Sequence, residues 1–506
     1  MENHPPTTKR SRGVLWQEVD ASPDLLLIHF DQPERYPFLL ESTSYNIGHA
    51  ADRNRYDILF AFPEEVLTLE YPDHRTMDGR KIPEPDFLDS LDAWFAEEQN
   101  NATTLYSLPP DIPFRGGWFL YLGYELAGQI EPVLYPHLTK NTDTSPVEAK
   151  FPIAAAWRIP AAIIRDKQKR KTILVTETHR ASFLVKMERD LLSAGSGSTL
   201  SIPVTTPHTG NHGQFAETGH GNRDLQTAAL LREPMQEDPF RQFLERIAKI
   251  TRYIREGDVF QVNLSRGWRG LLREGITPAH VYDRIRRYNP APFAGLATWN
   301  DFAIISSSPE RLIHMHDGIV ETRPIAGTHP RDQNPITDSK LSNALMAHPK
   351  ERAEHIMLID LERNDLGRIC QHGSVEVNEL MVLESYAHVH HIVSNIRGRL
   401  TPDATPGKIL RAVFPGGTIT GCPKVRCMEI INELEQVRRG PYTGTMGYLN
   451  RDGSADLNIL IRTICQHDNR ISLRAGSGIV ADSSPERELR ETCDKARGPL
   501  QALFGQ

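Results

Sequence analysis

Residues 414–448, FPGGTITGCPKVRCMEIINELEQVRRGPYTGTMGY, restrict the possible folds of this chain more than any other stretch. Gly416, Gly417 and Gly421, with Thr418 and Thr420 between them, set short polar groups beside a backbone that can be closely approached. Pro423 suits the first turn of a helix, where a missing N–H costs nothing. Val425, Met428, Ile431 and Leu434 follow at near-helical spacing, so one face of that helix is expected to be buried. Free N–H groups, the positive end of the helix dipole and Lys424 then converge on one spot, which suits a small anion. The glycine-to-Lys-Ser/Thr spacing of a phosphate loop is missing, and a carboxylate fits better. A glycine-rich turn before an ordinary core helix explains the stretch equally well, so the decision rests on motifs elsewhere.

With 506 residues, the chain has room for two or three domains or one large composite unit. A net charge of -7 gives no basic footprint for nucleic acid. No apolar run is long enough to span a bilayer, and MENHPPTTKRSR lacks the apolar stretch of a secretory signal. Cys370, Cys422, Cys427, Cys465 and Cys493 are odd in number and scattered, and read as reduced thiols of a cytoplasmic protein.

From Val14 to about Glu177, runs such as LLLIHF (25–30), YDILFAF (56–62) and KTILVT (171–176) alternate with turn clusters and predict a sheet-rich module over 1–193. FRGGWFLYLGYELAG (114–128) reads as close backbone packing, and FLLES (38–42) as a strand end. Residues 194–235 shift to Gly, Ser, Thr, His and Pro and predict a linker or flexible loop; His208, His212 and His220 lack ligand spacing. Over 236–506, Asp238 is expected to cap a helix that Pro239 opens and Gly257 ends. Strands follow at VFQVNLS, AIISSSPERLI and ETRPIAGTHPR, the last ending in a glycine turn. Helices and strands mix without a βαβ rhythm, which predicts an α+β fold.

Two helices carry paired acids. Glu351 and Glu354 stand at i and i+3 near the head of the helix that begins at Pro349. Glu488, Glu491 and Lys495 stand at i, i+3 and i+7 in the helix opened by Pro485. Either pair alone is commonly a solvated helix face. Two of them, each after a glycine or proline turn, suit a hard cation; magnesium takes a few carboxylates and keeps waters or substrate oxygens. Lys424, Arg462 in the expected strand LNILIRTI, and the glycine turns around Gly476 and Gly478 could hold carboxylates opposite them.

In SPERL, RPIAGT, KERAEHIMLIDLERNDLGR, HHIVS, GGTITGCPKVRCMEIINELE, RGPY, IRT and AGSGIVADS, the chain resembles the chorismate-using enzymes, which include anthranilate synthase component I, aminodeoxychorismate synthase component I, isochorismate synthase and salicylate synthase. The resemblance covers nearly all of 236–500, with a looser likeness before it. It implies a large two-part β/α sandwich, a chorismate-binding catalytic domain in the C-terminal part, a magnesium ion, and an N-terminal region interleaved with it. Position by position, Glu354 and Glu491 match magnesium ligands, with Glu351 and Glu488 supporting them. Glu310 matches the acid that helps the ring hydroxyl leave. Gly327, Thr328, His391, Thr418, Lys424, Tyr442, Arg462, Gly476, Gly478 and Lys495 match positions around the ring and its carboxylates.

Relatives that add water resemble one another in having lysine where this chain has Gln261, so ammonia is the expected nucleophile. NPAPFAGL (289–296), GGTITG and the YLGYE stretch are similar to aminodeoxychorismate synthases. PIAGT, with Ala326, is instead similar to anthranilate synthases, because many aminodeoxychorismate synthases have a reactive lysine there. FLLES resembles a tryptophan-binding segment, which leaves a feedback site open. The expectation is a component I subunit that makes 4-amino-4-deoxychorismate with ammonia from a separate glutaminase subunit. Anthranilate synthase is the alternative, and a non-catalytic chorismate-binding subunit a lesser one.

Overall fold

The computed structural model describes residues 9–11, 13–43, 55–71, 73–101, 112–139, 147–194, 200, 229–332, 334–385 and 389–505. Most of the expected linker, with His208, His212 and His220, lies outside the described residues. Residues 229–235 belong to the fold: Leu230 and Leu231 are buried in the same apolar cluster as Leu174 and Ile305.

Two large sheets stack face to face, and every strand pairing among the described residues is antiparallel. Each sheet is part N-terminal and part C-terminal. In the first, Phe38–Glu41 is hydrogen-bonded to Phe293–Trp299, with Leu39 opposite Leu296. In the second, Gly117–Leu122 pairs along its whole length with Thr445–Asn450. The inner faces meet through an aromatic-rich cluster, in which Phe38 and Phe119 stack with ring centroids 4.1 Å apart.

Helices cover both outer faces. Leu25–Asp31, Ser182–Ala194, Pro278–Tyr288 and Pro485–Phe504 bury apolar residues against the first sheet. Phe87–Asn101, Pro349–Gly367 and Pro406–Val413 do so against the second. The fold is the expected α+β sandwich, and FRGGWFLYLGYELAG contributes the fully buried strand Gly117–Leu122 to its centre.

Several local expectations need correction. LLLIHF is a helix, because Asp24 caps it by accepting from Leu26 N, and Leu25, Leu26, Ile28 and His29 turn inward at helical spacing. A six-residue apolar run cannot tell the two periods apart. Pro239, and not Asp238, occupies the cap position of Phe240–Glu256; the Asp238 carboxylate instead accepts from Gly267 N and pairs with Arg269. Pro423 likewise caps Lys424–Glu435 and is not in its first turn. Gly476 and Gly478 lie inside the strand Arg470–Ile479, opposite Ser265 and Asn263, and form no turn. ETRPIAGTHPR is two strands, Ile319–Thr322 and Ile325–Pro330, with Gly327 a bulge inside the second. Arg462 sits between Ala455–Asn458 and Thr463–His467, with φ +50.

Candidate active site

Two segments cross from one sheet to the other side by side, and the site is built on them. Phe302–Ser308 ends in the first sheet, and Arg311–His316 starts in the second; Pro309 and Glu310 make the crossing. Ala455–Asn458 and Thr463–His467 make the return crossing through 459–462. The crossings are bonded together: Ile459 N donates to Glu310 O at 3.0 Å, Ser308 Oγ donates to Ile459 O, and Ser307 N donates to Arg462 O at 3.2 Å. Glu310 and Arg462 therefore keep a fixed relation.

Burial pushes the Glu310 carboxyl up to about 7; the Thr418 hydroxyl and the charges of Lys495 and Arg462 pull it back. Glu310 Oε1 and Thr418 Oγ1 are both buried without a well-formed hydrogen bond. Burial also lowers the Arg462 guanidinium, opposed by Glu310, and holds His391 at about 4, so this imidazole is neutral at pH 7. His391 Nδ1 lies 3.4 Å from Gly327 O, and the His391 backbone pairs with Thr328.

Gln261, Asn263, Tyr442, Gly476 and Gly478 form an adjoining wall. A Cβ at Gly478 would stand 2.2 Å from Gln261 Nε2, and one at Gly476 would stand 2.6 Å from Asn263 Oδ1 and 2.7 Å from the Tyr442 hydroxyl. The two glycines thus make room for polar side chains, which is why this strand carries them. Gln261 Oε1 and Asn263 Oδ1 are buried with no hydrogen-bond partner among the described residues. Lys495 closes this side, donating to Gly476 O at 3.0 Å and pairing with Glu491 at 2.8 Å.

Behind the wall, Glu435 accepts from Ser265 N and Oγ, both at 2.8 Å, and pairs with Arg439 at 2.7 Å and Arg474 at 3.3 Å. Although burial opposes ionisation, the two guanidinium groups hold Glu435 at about 2. Arg439 also donates to Asn263 O and Ile419 O, which ties the wall to the GGTITG segment. The buried Glu435 and Arg439 stand at i and i+4 across the end of an apolar helix, the one sequence signal that could have revealed them.

The acidic pairs sit on their expected helices. Glu351 leans over the PIAGT bulge: Gly327 has φ +63, and a Cβ there would lie 3.0 Å from Glu351 Oε2, so both the conformation and the approach require glycine. Glu354 is half-buried on the same helix, Glu488 is buried on Pro485–Phe504, and Glu491 is half-buried beside Lys495. The oxygen-only donor set suits magnesium, but no three of these carboxylates come within 4.8 Å of one another. Among the described residues the four glutamates therefore form no preformed metal cluster.

Lys424 is paired within the protein, its Nζ 2.6 Å from Asp365 Oδ2, while Arg462 and Lys495 are the cations whose charges act on Glu310. Two acids on the Glu351–Glu354 helix were overlooked in sequence. Glu362 accepts from Thr322 Oγ1 at 2.9 Å, and burial, reinforced by Asp365, pushes it up to about 8; Asp365 is itself raised by burial. Their spacing continues the acidic face of that helix.

FLLES and NPAPFAGL, far apart in sequence, line one cavity of about 120 Å³ with Arg311, Met446, Tyr448 and Asp456. Arg311 pairs with Asp456 at 2.8 Å and lies over the Phe293 ring. No helix among the described residues is long and apolar enough to cross a membrane.

A family model described as chorismate binding enzyme matches residues 48–501. The chain is 38% identical over 488 residues to anthranilate synthase component 1 of Synechocystis sp., covering 92% of this chain and 91% of that protein. It is 47% identical over 278 residues to aminodeoxychorismate synthase component 1 of Bacillus subtilis, covering 55% of this chain and 58% of that protein. Among solved structures, anthranilate synthase component I of Streptococcus pneumoniae superposes with a TM-score of 0.71 at 30% identity, covering 88% of this chain and 92% of that one.

Proposed function

The chain belongs to the chorismate-binding enzymes, and on that premise we propose that it is the component I subunit of an aminodeoxychorismate synthase. It converts chorismate and ammonia to 4-amino-4-deoxychorismate and water. The observation that carries the chorismate chemistry is the Glu310 carboxyl, buried, raised to about 7 and hydrogen-bonded through its backbone to the Arg462 crossing. Such an acid still holds a proton near neutrality and can give it to a departing hydroxyl. The choice of the 4-amino product rests on the likeness of NPAPFAGL, GGTITG and YLGYE to aminodeoxychorismate synthases.

Ammonia attacks C2 of the ring, the ring double bonds shift, and the C4–O bond breaks as Glu310 delivers its proton, so the hydroxyl leaves as water. A second ammonia attacks C4, the double bonds shift back, and the first nitrogen leaves C2 as ammonia. One ammonia is consumed and one water released. Ala326 supplies no side-chain nucleophile, so the first attack comes from ammonia itself. The amide oxygens of Gln261 and Asn263 suit an N–H nucleophile, because they accept hydrogen bonds without removing protons. Arg462, Tyr442, Thr418 and the glycine wall hold the enolpyruvyl carboxylate, and Lys495 and neutral His391 flank the ring. Glu351, Glu354, Glu488 and Glu491 would hold magnesium, which when bound supplies positive charge toward the ring carboxylate.

Ammonia reaches the site from a glutaminase subunit. Purification of the tagged chain from its own cells is expected to bring a glutamine-hydrolysing partner with it, and its absence would remove that part of the proposal. Anthranilate synthase is a second reading, favoured by Ala326 and by the nearly full-length match to the Synechocystis enzyme. Product mass separates the two. With chorismate, magnesium and ammonium at alkaline pH, the first reading expects an amino compound that retains the enolpyruvyl group; stoichiometric pyruvate with fluorescent 2-aminobenzoate establishes the second. Calorimetric binding of chorismate with no turnover from any nitrogen source would reject both.

A further inference from the structure

The hairpin that leaves the Glu310 crossing reads His314-Met315-His316-Asp317-Gly318-Ile319-Val320-Glu321. Asp317 and Gly318 both have positive φ, +49 and +72, and join the strands as a two-residue turn. A turn of this kind matches the strand twist and fixes the register. Here it sets His314 opposite Glu321 and His316 opposite Ile319. His314 and His316, two residues apart, point to one face of the strand, and Glu321 joins them from the neighbouring one. Met315 and Val320, which alternate with them, are buried in the core behind.

We propose that this hairpin binds one late first-row divalent cation, of which Zn²⁺ is the representative, through His314, His316 and Glu321. Their donor atoms lie within 4.8 Å of one another, the only such set of three histidine, cysteine or acidic residues among the described residues. His314 Nδ1 is 3.7 Å and His316 Nε2 is 3.9 Å from the same oxygen, Glu321 Oε2. Tetrahedral zinc with bonds of about 2.0–2.1 Å needs donors about 3.3 Å apart, so each histidine must close by roughly half an ångström. All three side chains are partly exposed, which leaves the fourth position to water. Two imidazoles and one carboxylate select such ions over magnesium, which prefers an all-oxygen shell. Arg311, whose charge reaches Glu321, is neutralised by Asp456. The site is distinct from the acidic helices and does not depend on which chorismate product is made.

The rival explanation is that Glu321 serves only as a counter-ion to its histidines. The test uses the tag-free full-length protein, stripped with chelator and returned to millimolar Mg²⁺ to hold the acidic helices. Calorimetry with Zn²⁺ is expected to give one equivalent, with affinity weakened at least about tenfold in His316→Gln and in Glu321→Gln. Both variants are expected to keep wild-type turnover of chorismate. Zn²⁺ is expected to raise the melting temperature of the wild type and not of the variants. X-ray absorption of the zinc-loaded wild type, which needs no variant, is expected to show two imidazole ligands. No uptake by the wild type, equal uptake by the variants, or a zinc shell without two imidazoles would each overturn the proposal.

Discussion

Glu310 is the residue on which turnover is expected to depend most directly. Glu310→Gln keeps the shape and removes the proton, and is expected to lower kcat by about a hundredfold or more while chorismate binding measured by calorimetry changes little. An equal loss of binding would make the residue a ligand for the substrate and not its acid. Donation requires the protonated form, which disappears as pH rises through about 7. The kcat/KM for chorismate, at a fixed concentration of neutral ammonia, is therefore expected to fall above that pH, and a profile flat to pH 9 would contradict it. Glu362 provides the matching stability test. Its carboxyl is raised to about 8, so its contribution is complete below pH 4.5 and is lost as pH rises through 8. Glu362→Gln is expected to gain melting temperature over the wild type between pH 5 and pH 9, with little difference at pH 5.

At the scale of elements, the two acid-bearing helices are the parts most readable in sequence. Pro349 and Pro485 open them, and the i, i+3 glutamates declare a face. Glu354→Gln and Glu491→Gln are each expected to raise the magnesium concentration for half-maximal activity about tenfold or more, with activity partly recovered at high magnesium. An unchanged magnesium titration would detach these helices from the metal. The paired crossings were not legible, because neither SSPERL nor LNILIRTI contains a sign that its strand leaves one sheet for another; only pairing with distant strands decides that. Gly476 and Gly478 were misread for a related reason. Glycine usually marks a turn, but here the missing Cβ makes space for Gln261, Asn263 and Tyr442, residues about two hundred positions upstream and some thirty upstream respectively. The Asp-Gly pair after His316 is a hairpin signal visible in the sequence itself. Asp365, by contrast, could be read as an acid but not as the ion-pair partner of Lys424.

For the whole molecule, the decisive fact is that neither sheet belongs to one half of the chain. A composition shift near 194–235 divides the sequence, while the hydrogen bonds of Phe38–Glu41 with Phe293–Trp299 and of Gly117–Leu122 with Thr445–Asn450 cross that division. A protein cut between Gly210 and Asn211 is expected to give an insoluble C-terminal fragment when made alone, and a soluble, cooperatively melting complex when both pieces are made together. A C-terminal piece that melts cooperatively by itself would show two independent units. The same arrangement sets a schedule for synthesis. The ribosome releases Gly117–Leu122 roughly 320 residues before its partner strand, a wait of tens of seconds at ordinary elongation rates. Throughout that time an apolar strand has an unpaired edge, so the nascent chain should be a client of holding chaperones, and its yield should fall when their supply does.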